Sequence, residues 1–178
     1  LRVGWVVAPH GIREKLVLSS EAAILSPSSF TQMVLAEYFL TKNWRAQVDT
    51  FRGIYRDRHD AMSKSLAEHI PEIQHTKPQG GFYIWLTLPD GLDSKEMLPR
   101  AIAEMVAYTP GTAFFANGEG QQNIRLAFCY PQPDLIGEGT RRLARVIREE
   151  QDLIATFGPA RSKKPLAANL ESPPPEIV

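Results

Sequence analysis

Trp44, Val48, Phe51, Tyr55, Met62, Leu66 and Ile70 recur at helical spacing through the longest periodic segment of the chain. Arg45, Arg52, Arg56, Asp57, Arg58 and Lys64 fall on its other faces, and Pro71 stops it. A helix of about twenty-seven residues at about 1.5 Å each spans roughly 40 Å, long enough to link two lobes. The pattern before it is helical. The pattern after it alternates between strand and helix. The chain therefore reads as α/β: the helical end of one lobe, a linking helix, and a compact lobe with a small sheet.

Around that axis the other elements follow. Residues 1–9 are apolar and read as a buried strand, ended by Pro9-His10-Gly11. Residues 12–25 read as a helix. Ser26-Pro27-Ser28-Ser29 is a break with an N-cap signature, leading into a helix from about Phe30 to Thr41. Past Pro71, residues 73–77 and 81–88 look like strands joined by Pro78-Gln79-Gly80, and Pro89-Asp90-Gly91 is a turn. Asp93 or Ser94 can cap a helix to about Met105. A turn-rich run from Tyr108 to Gly118 precedes a strand, Asn123-Ile124-Arg125-Leu126-Ala127-Phe128. The last helix runs from Asp134 to about Ala155 and buries Leu135, Ile136, Leu143, Ile147 and Ile154. The proline-rich stretch 158–178 has too few apolar residues to offset ordering and reads as a disordered tail.

Composition excludes several classes. Twenty basic residues balance twenty acidic ones in 178, so charge gives no sign of a nucleic-acid or anionic-membrane partner. No apolar run is long enough to span a bilayer. The single cysteine, Cys129, cannot form an internal disulfide, which makes a reducing, cytoplasmic compartment the default; it reads as a small buried hydrophobe. His10, His59, His69 and His75 show no metal-ligand spacing, so no metal site is expected. Gly137 and Gly139 sit inside the last helix, where close packing would account for them. The chain opens on Leu1 and is apolar at once, which reads as the C-terminal piece of something larger.

Two arginines interrupt apolar stretches. Arg125 lies in mid-strand, where a guanidinium is costly to desolvate without a partner. It calls for either a protein carboxylate or an anionic ligand, and its planar fork suits a carboxylate held through two parallel bonds. Arg2 sits in Leu1-Arg2-Val3-Gly4-Trp5, either paired with an acid or serving as an anion clamp.

Taken together these segments resemble the class I/II aminotransferases among the fold-type I pyridoxal-phosphate enzymes, in the branch that includes 2-aminoadipate aminotransferases. The similarity is carried by Leu1-Arg2-Val3-Gly4-Trp5-Val6-Val7-Ala8-Pro9, by Pro78-Gln79-Gly80-Gly81-Phe82-Tyr83-Ile84-Trp85-Leu86, and by Tyr108-Thr109-Pro110-Gly111-Thr112-Ala113-Phe114-Phe115 followed by Asn123-Ile124-Arg125-Leu126-Ala127-Phe128. Glu138-Gly139-Thr140-Arg141-Arg142-Leu143-Ala144 also fits, so the likeness spans residues 1 to about 155.

That resemblance implies an amino group moved between an amino acid and a 2-oxo acid, with pyridoxal 5′-phosphate as cofactor and a homodimer as the assembly. It implies that Arg2 contacts the cofactor phosphate and that Arg125 holds the substrate α-carboxylate. It divides the chain into the C-terminal end of a large cofactor-binding domain (1–42), a linking helix (43–70), a small α/β domain (71–157) and the tail (158–178). It assigns no catalytic residue here: Lys15, Lys42, Lys64, Lys77, Lys95, Lys163 and Lys164 do not stand in the Schiff-base motif, which would precede Leu1. The chain alone is therefore expected to be inactive. A rival reading is the effector-sensing, aminotransferase-like half of a transcription regulator, which would use the same arginines.

Overall fold

The structure, a computed structural model, describes residues 1–158; the proline-rich tail beyond Gly158 lies outside the described residues. It divides into two compact units, 1–53 and 54 onward, with the boundary inside the long helix.

In the first unit, α1 (His10–Ile24) and α2 (Ser29–Thr41) are followed by the start of α3 (Trp44–His69). Ser28 caps α2, its hydroxyl accepting from the Thr31 N–H at 3.4 Å. Residues 1–9 form no strand, and Trp5 and Val7 are largely exposed. This corrects the sequence expectation. The stretch is apolar enough for a strand, but a strand needs a neighbour for its backbone groups, and none pairs with it among the described residues. Instead Trp5 packs edge-on against Phe39, which packs on Trp44. No residue of this unit is buried.

The second unit holds the core. Its sheet is antiparallel, in the order β1 (Gln74–His75), β2 (Tyr83–Thr87), β4 (Asn123–Ala127), β3 (Thr109–Pro110). Alternation does what the pleat demands. Ile84, Leu86, Ile124 and Leu126 point to one face and are buried with Met62 and Leu66 of α3, Met97 and Ala101 of α4 (Ser94–Ala103), and Leu143 and Ile147 of α5 (Pro133–Phe157). Tyr83, Trp85, Arg125 and Thr109 take the opposite face. Asp93 caps α4 by accepting from the N–H groups of Lys95 and Glu96 at 2.8 and 3.2 Å.

Four local expectations change. Leu135 is 64% exposed, because α5 begins at Pro133 and its first turn overhangs the core. Cys129 is only half-buried, since β4 has already ended at Ala127. Gly137 and Gly139 have open space where a Cβ would stand, so close packing does not explain them. Arg58, which the periodicity had set off the apolar stripe, is part-buried and donates to the Cys129 carbonyl. Core packing predicts that Ile84→Val, which removes one methylene at a fully buried site, destabilises the unit by about 0.5–1.5 kcal/mol in urea unfolding. No loss would mean the sheet face is not close-packed.

Candidate functional site

Arg125 occupies the middle of β4, which pairs with β2 on one side and β3 on the other. Trp85 of β2 stands opposite it on one side and Thr109 of β3 on the other. The side chain therefore rises from the centre of the sheet face that the helices leave uncovered. Its ζ carbon lies 4.1 Å from the ring centre of Tyr83 and 4.4 Å from that of Phe114. Phe114 comes from the 3-10 turn Gly111–Phe114 that follows β3. Trp85 packs edge-on against Phe114 at 5.4 Å between ring centres.

The polar contacts of this guanidinium are few. One Nη donates to the Thr109 hydroxyl at 3.5 Å, the outer limit for such a bond. Nε is shielded from solvent and has no hydrogen-bond partner. Among the described residues no carboxylate pairs with Arg125. Other arginines of the unit do find acids: Arg100 pairs with Glu150, Arg141 and Arg142 with Glu138, and Arg145 with Glu104. A half-buried cation with an orphaned N–H is costly unless something anionic meets it. Of the two partners the sequence left open, the protein carboxylate is thus absent among the described residues.

β3 is held in place by a residue one step upstream. The buried Tyr108 hydroxyl donates to the Ser94 carbonyl at 2.7 Å. Burial pushes this phenol well above its ordinary range, and the carboxylates of Asp93 and Glu150 add to the shift, so the proton stays on the donor. The start of α4 is thereby tied to the strand that carries Thr109.

Arg2 belongs to the first unit. It is exposed, and among the described residues it makes no hydrogen bond or ion pair. Its backbone is left-handed, at φ 59°, a strained conformation for a side-chain-bearing residue. It borders a hollow of about 790 Å³ that Ser20, Ser26, Ser28, Thr31 and Gln32 also line. Arg2 and Arg125 fall in separate units. Sequence reasoning missed Tyr83 and Phe114 as companions of Arg125. The alternation of β2 places Tyr83 on the correct face, but its proximity to Arg125 depends on a strand register that spacing does not reveal.

Against known proteins, the family model described as aminotransferase class I and II matches residues 1–143. The chain belongs to that family. It is 40% identical to the aromatic-amino-acid aminotransferase 1 of Thermococcus litoralis, over 84% of this chain and 36% of the relative. Among solved structures it matches an α-aminoadipate aminotransferase from Thermus thermophilus, complexed with N-(5′-phosphopyridoxyl)-L-leucine, at a TM-score of 0.73 and 34% identity, over 83% of this chain and 38% of that one. The chain is also 26% identical to a helix-turn-helix transcriptional regulator of Bacillus subtilis, over 84% of this chain and 31% of the relative. The chain spans a little over a third of the length of the aminotransferases it matches. The fold is that of the fold-type I aminotransferases over about four-fifths of the chain.

Proposed function

We propose that this protein is a pyridoxal-phosphate-dependent aminotransferase, moving an amino group between an amino acid and a 2-oxo acid. The observation that carries the reading is Arg125: a half-buried guanidinium with an orphaned Nε and no carboxylate partner among the described residues. Arg125 holds the substrate α-carboxylate. Gripping that group fixes how the Cα–H bond is presented, so the arginine contributes to turnover as well as to affinity.

The donor set around Arg2 fits the phosphate end of the cofactor: an unpaired cation with serine and threonine hydroxyls nearby. Arg2 holds that phosphate. When bound, pyridoxal phosphate supplies the electron sink that makes the α-proton of an amino acid labile. None of the lysines of this chain stands in the Schiff-base motif, so it is assigned no catalytic residue. In this reading residues 1–42 belong to the large domain, 43–70 to the linking helix and 71–157 to the small domain, and the whole protein works as a homodimer.

The relatives point to aromatic amino acids and α-aminoadipate as donors to try first. The regulator relative supports a second reading, in which the same arginines sense an amino acid without turning it over. The higher identity to aminotransferases favours the enzyme.

One assay separates the two readings. The whole protein with pyridoxal phosphate, L-phenylalanine or L-2-aminoadipate, and 2-oxoglutarate is expected to form the corresponding 2-oxo acid. Residues 1–178 alone are expected to form none. Binding of the amino acid without turnover by the whole protein would overturn the enzymatic reading in favour of the sensor.

A further inference from the structure

We infer that Tyr83 and Phe114 are positioning residues for the Arg125 guanidinium, holding it in place before a carboxylate arrives. The inference rests on Arg125 as the carboxylate-binding group. An arginine has many rotamers, and ordering it at the moment of binding would subtract from affinity. Among the described residues the guanidinium has one marginal hydrogen bond, to Thr109, and no ion pair, so polar contacts do not fix it. Two aromatic rings at 4.1 and 4.4 Å do, through the attraction of a cation to the ring face.

The two rings come from different elements and are each braced by a further ring. Tyr83 extends from β2, two residues from the Trp85 that faces Arg125 in register. It packs edge-on against Phe82 at 6.5 Å. Phe114 ends the 3-10 turn after β3 and packs edge-on on Trp85. Neither is core filler: Tyr83 is 42% and Phe114 44% exposed. Rings that served only to bury the sheet face would have no reason to converge on a cation that has no ion pair among the described residues. Rings also cannot neutralise the charge or use up its in-plane N–H groups. They hold the fork while leaving those donors for a ligand, which a protein carboxylate in the same place would not.

The test is a mutant cycle in the whole protein, reading KM for L-phenylalanine with 2-oxoglutarate as acceptor. Tyr83→Leu and Phe114→Leu are each expected to raise KM about tenfold. Tyr83→Phe, which keeps the ring, restores KM toward the parent value. In an Arg125→Ala background the leucine substitutions add nothing, because there is no longer a guanidinium to hold. If Tyr83→Leu fails to fold, Phe114→Leu, which lies outside the sheet, carries the test by itself. An unchanged KM in the leucine variants, while Arg125→Ala raises it, overturns the positioning role and leaves the carboxylate role of Arg125 standing. A tenfold rise that persists in the Arg125→Ala background also overturns it, since the rings would then act elsewhere. An unchanged KM in Arg125→Ala itself removes both.

Discussion

Arg125→Lys is expected to lower kcat/KM for amino-acid donors about 100-fold in the whole protein, and Arg125→Ala about 1,000-fold. The estimate comes from the cost of truncating one partner of a desolvated, hydrogen-bonded charge pair, about 2–5 kcal/mol, with about 1.4 kcal/mol for each factor of ten. Lysine keeps the positive charge, so part of the attraction survives. It cannot reproduce two parallel N–H bonds, and an ammonium set between Tyr83 and Phe114 would lack the planar group those rings pack against. The loss is expected in kcat as well as KM, because a carboxylate held at one point leaves the Cα–H bond free to swing.

Folding is not expected to suffer. Among the described residues Arg125 makes no ion pair, and removing a half-buried cation with an orphaned Nε relieves a cost. Steady-state kinetics with L-phenylalanine and L-2-aminoadipate, alongside thermal melts, would check both halves. A loss under threefold with lysine would show that the guanidinium meets no carboxylate. A large fall in melting temperature would show that its role is structural.

The legible parts of this fold are those set by local period and local chemistry. The α3 helix could be read because six apolar residues from Trp44 to Leu66 keep a helical repeat along it. β4 could be read because its sequence alternates around Arg125 as a strand with one covered face does, and β2 because an apolar, aromatic run is bounded by turn residues. Asp93 could be read as a cap because an aspartate before a helical run has a backbone use. Failures came where a residue's state depends on a distant neighbour. Residues 1–9 have strand composition and no strand to pair with among the described residues. β3 is two residues long and lies within what spacing marks as a turn, yet it supplies Thr109 beside Arg125. Arg58 falls off the apolar stripe of the long helix, yet it donates to a carbonyl 71 residues away. The site follows the same division. A lone arginine in an apolar strand announces itself, while its two rings are brought by strand register and by a turn.

Gly111→Ala is expected to cost about 3 kcal/mol of stability and to weaken substrate binding along with it. Gly111 is buried at the start of the 3-10 turn. A Cβ there would fall 2.4 Å from the Asn123 Cβ, 2.5 Å from the Gly120 carbonyl oxygen and 3.0 Å from the Asn123 carbonyl oxygen. Two of these are backbone atoms, which cannot turn aside as a flexible side chain would. Gly120 answers from the other side: its φ is +87°, and a Cβ on it would come within 2.8 Å of the Gly111 carbonyl carbon. The two glycines let the turn close against the start of β4, where the Asn123 N–H donates to the Gly120 carbonyl at 3.0 Å.

Forcing them apart costs what overpacking a tight site costs, at the upper end of about 1–3 kcal/mol. The displacement also has a direction. Pushing the turn off β4 carries Phe114 away from Arg125, two residues along the strand from Asn123. Stability and KM should therefore move together. Gly118→Ala is the control, since its φ is +77° but a Cβ would meet nothing within 4 Å. It should cost only the left-handed backbone penalty, about 1 kcal/mol, with KM unchanged. Urea midpoints at constant slope would measure the first effect and steady-state kinetics the second. A Gly111→Ala protein as stable as its parent would mean that the turn and β4 do not meet as closely as these distances require.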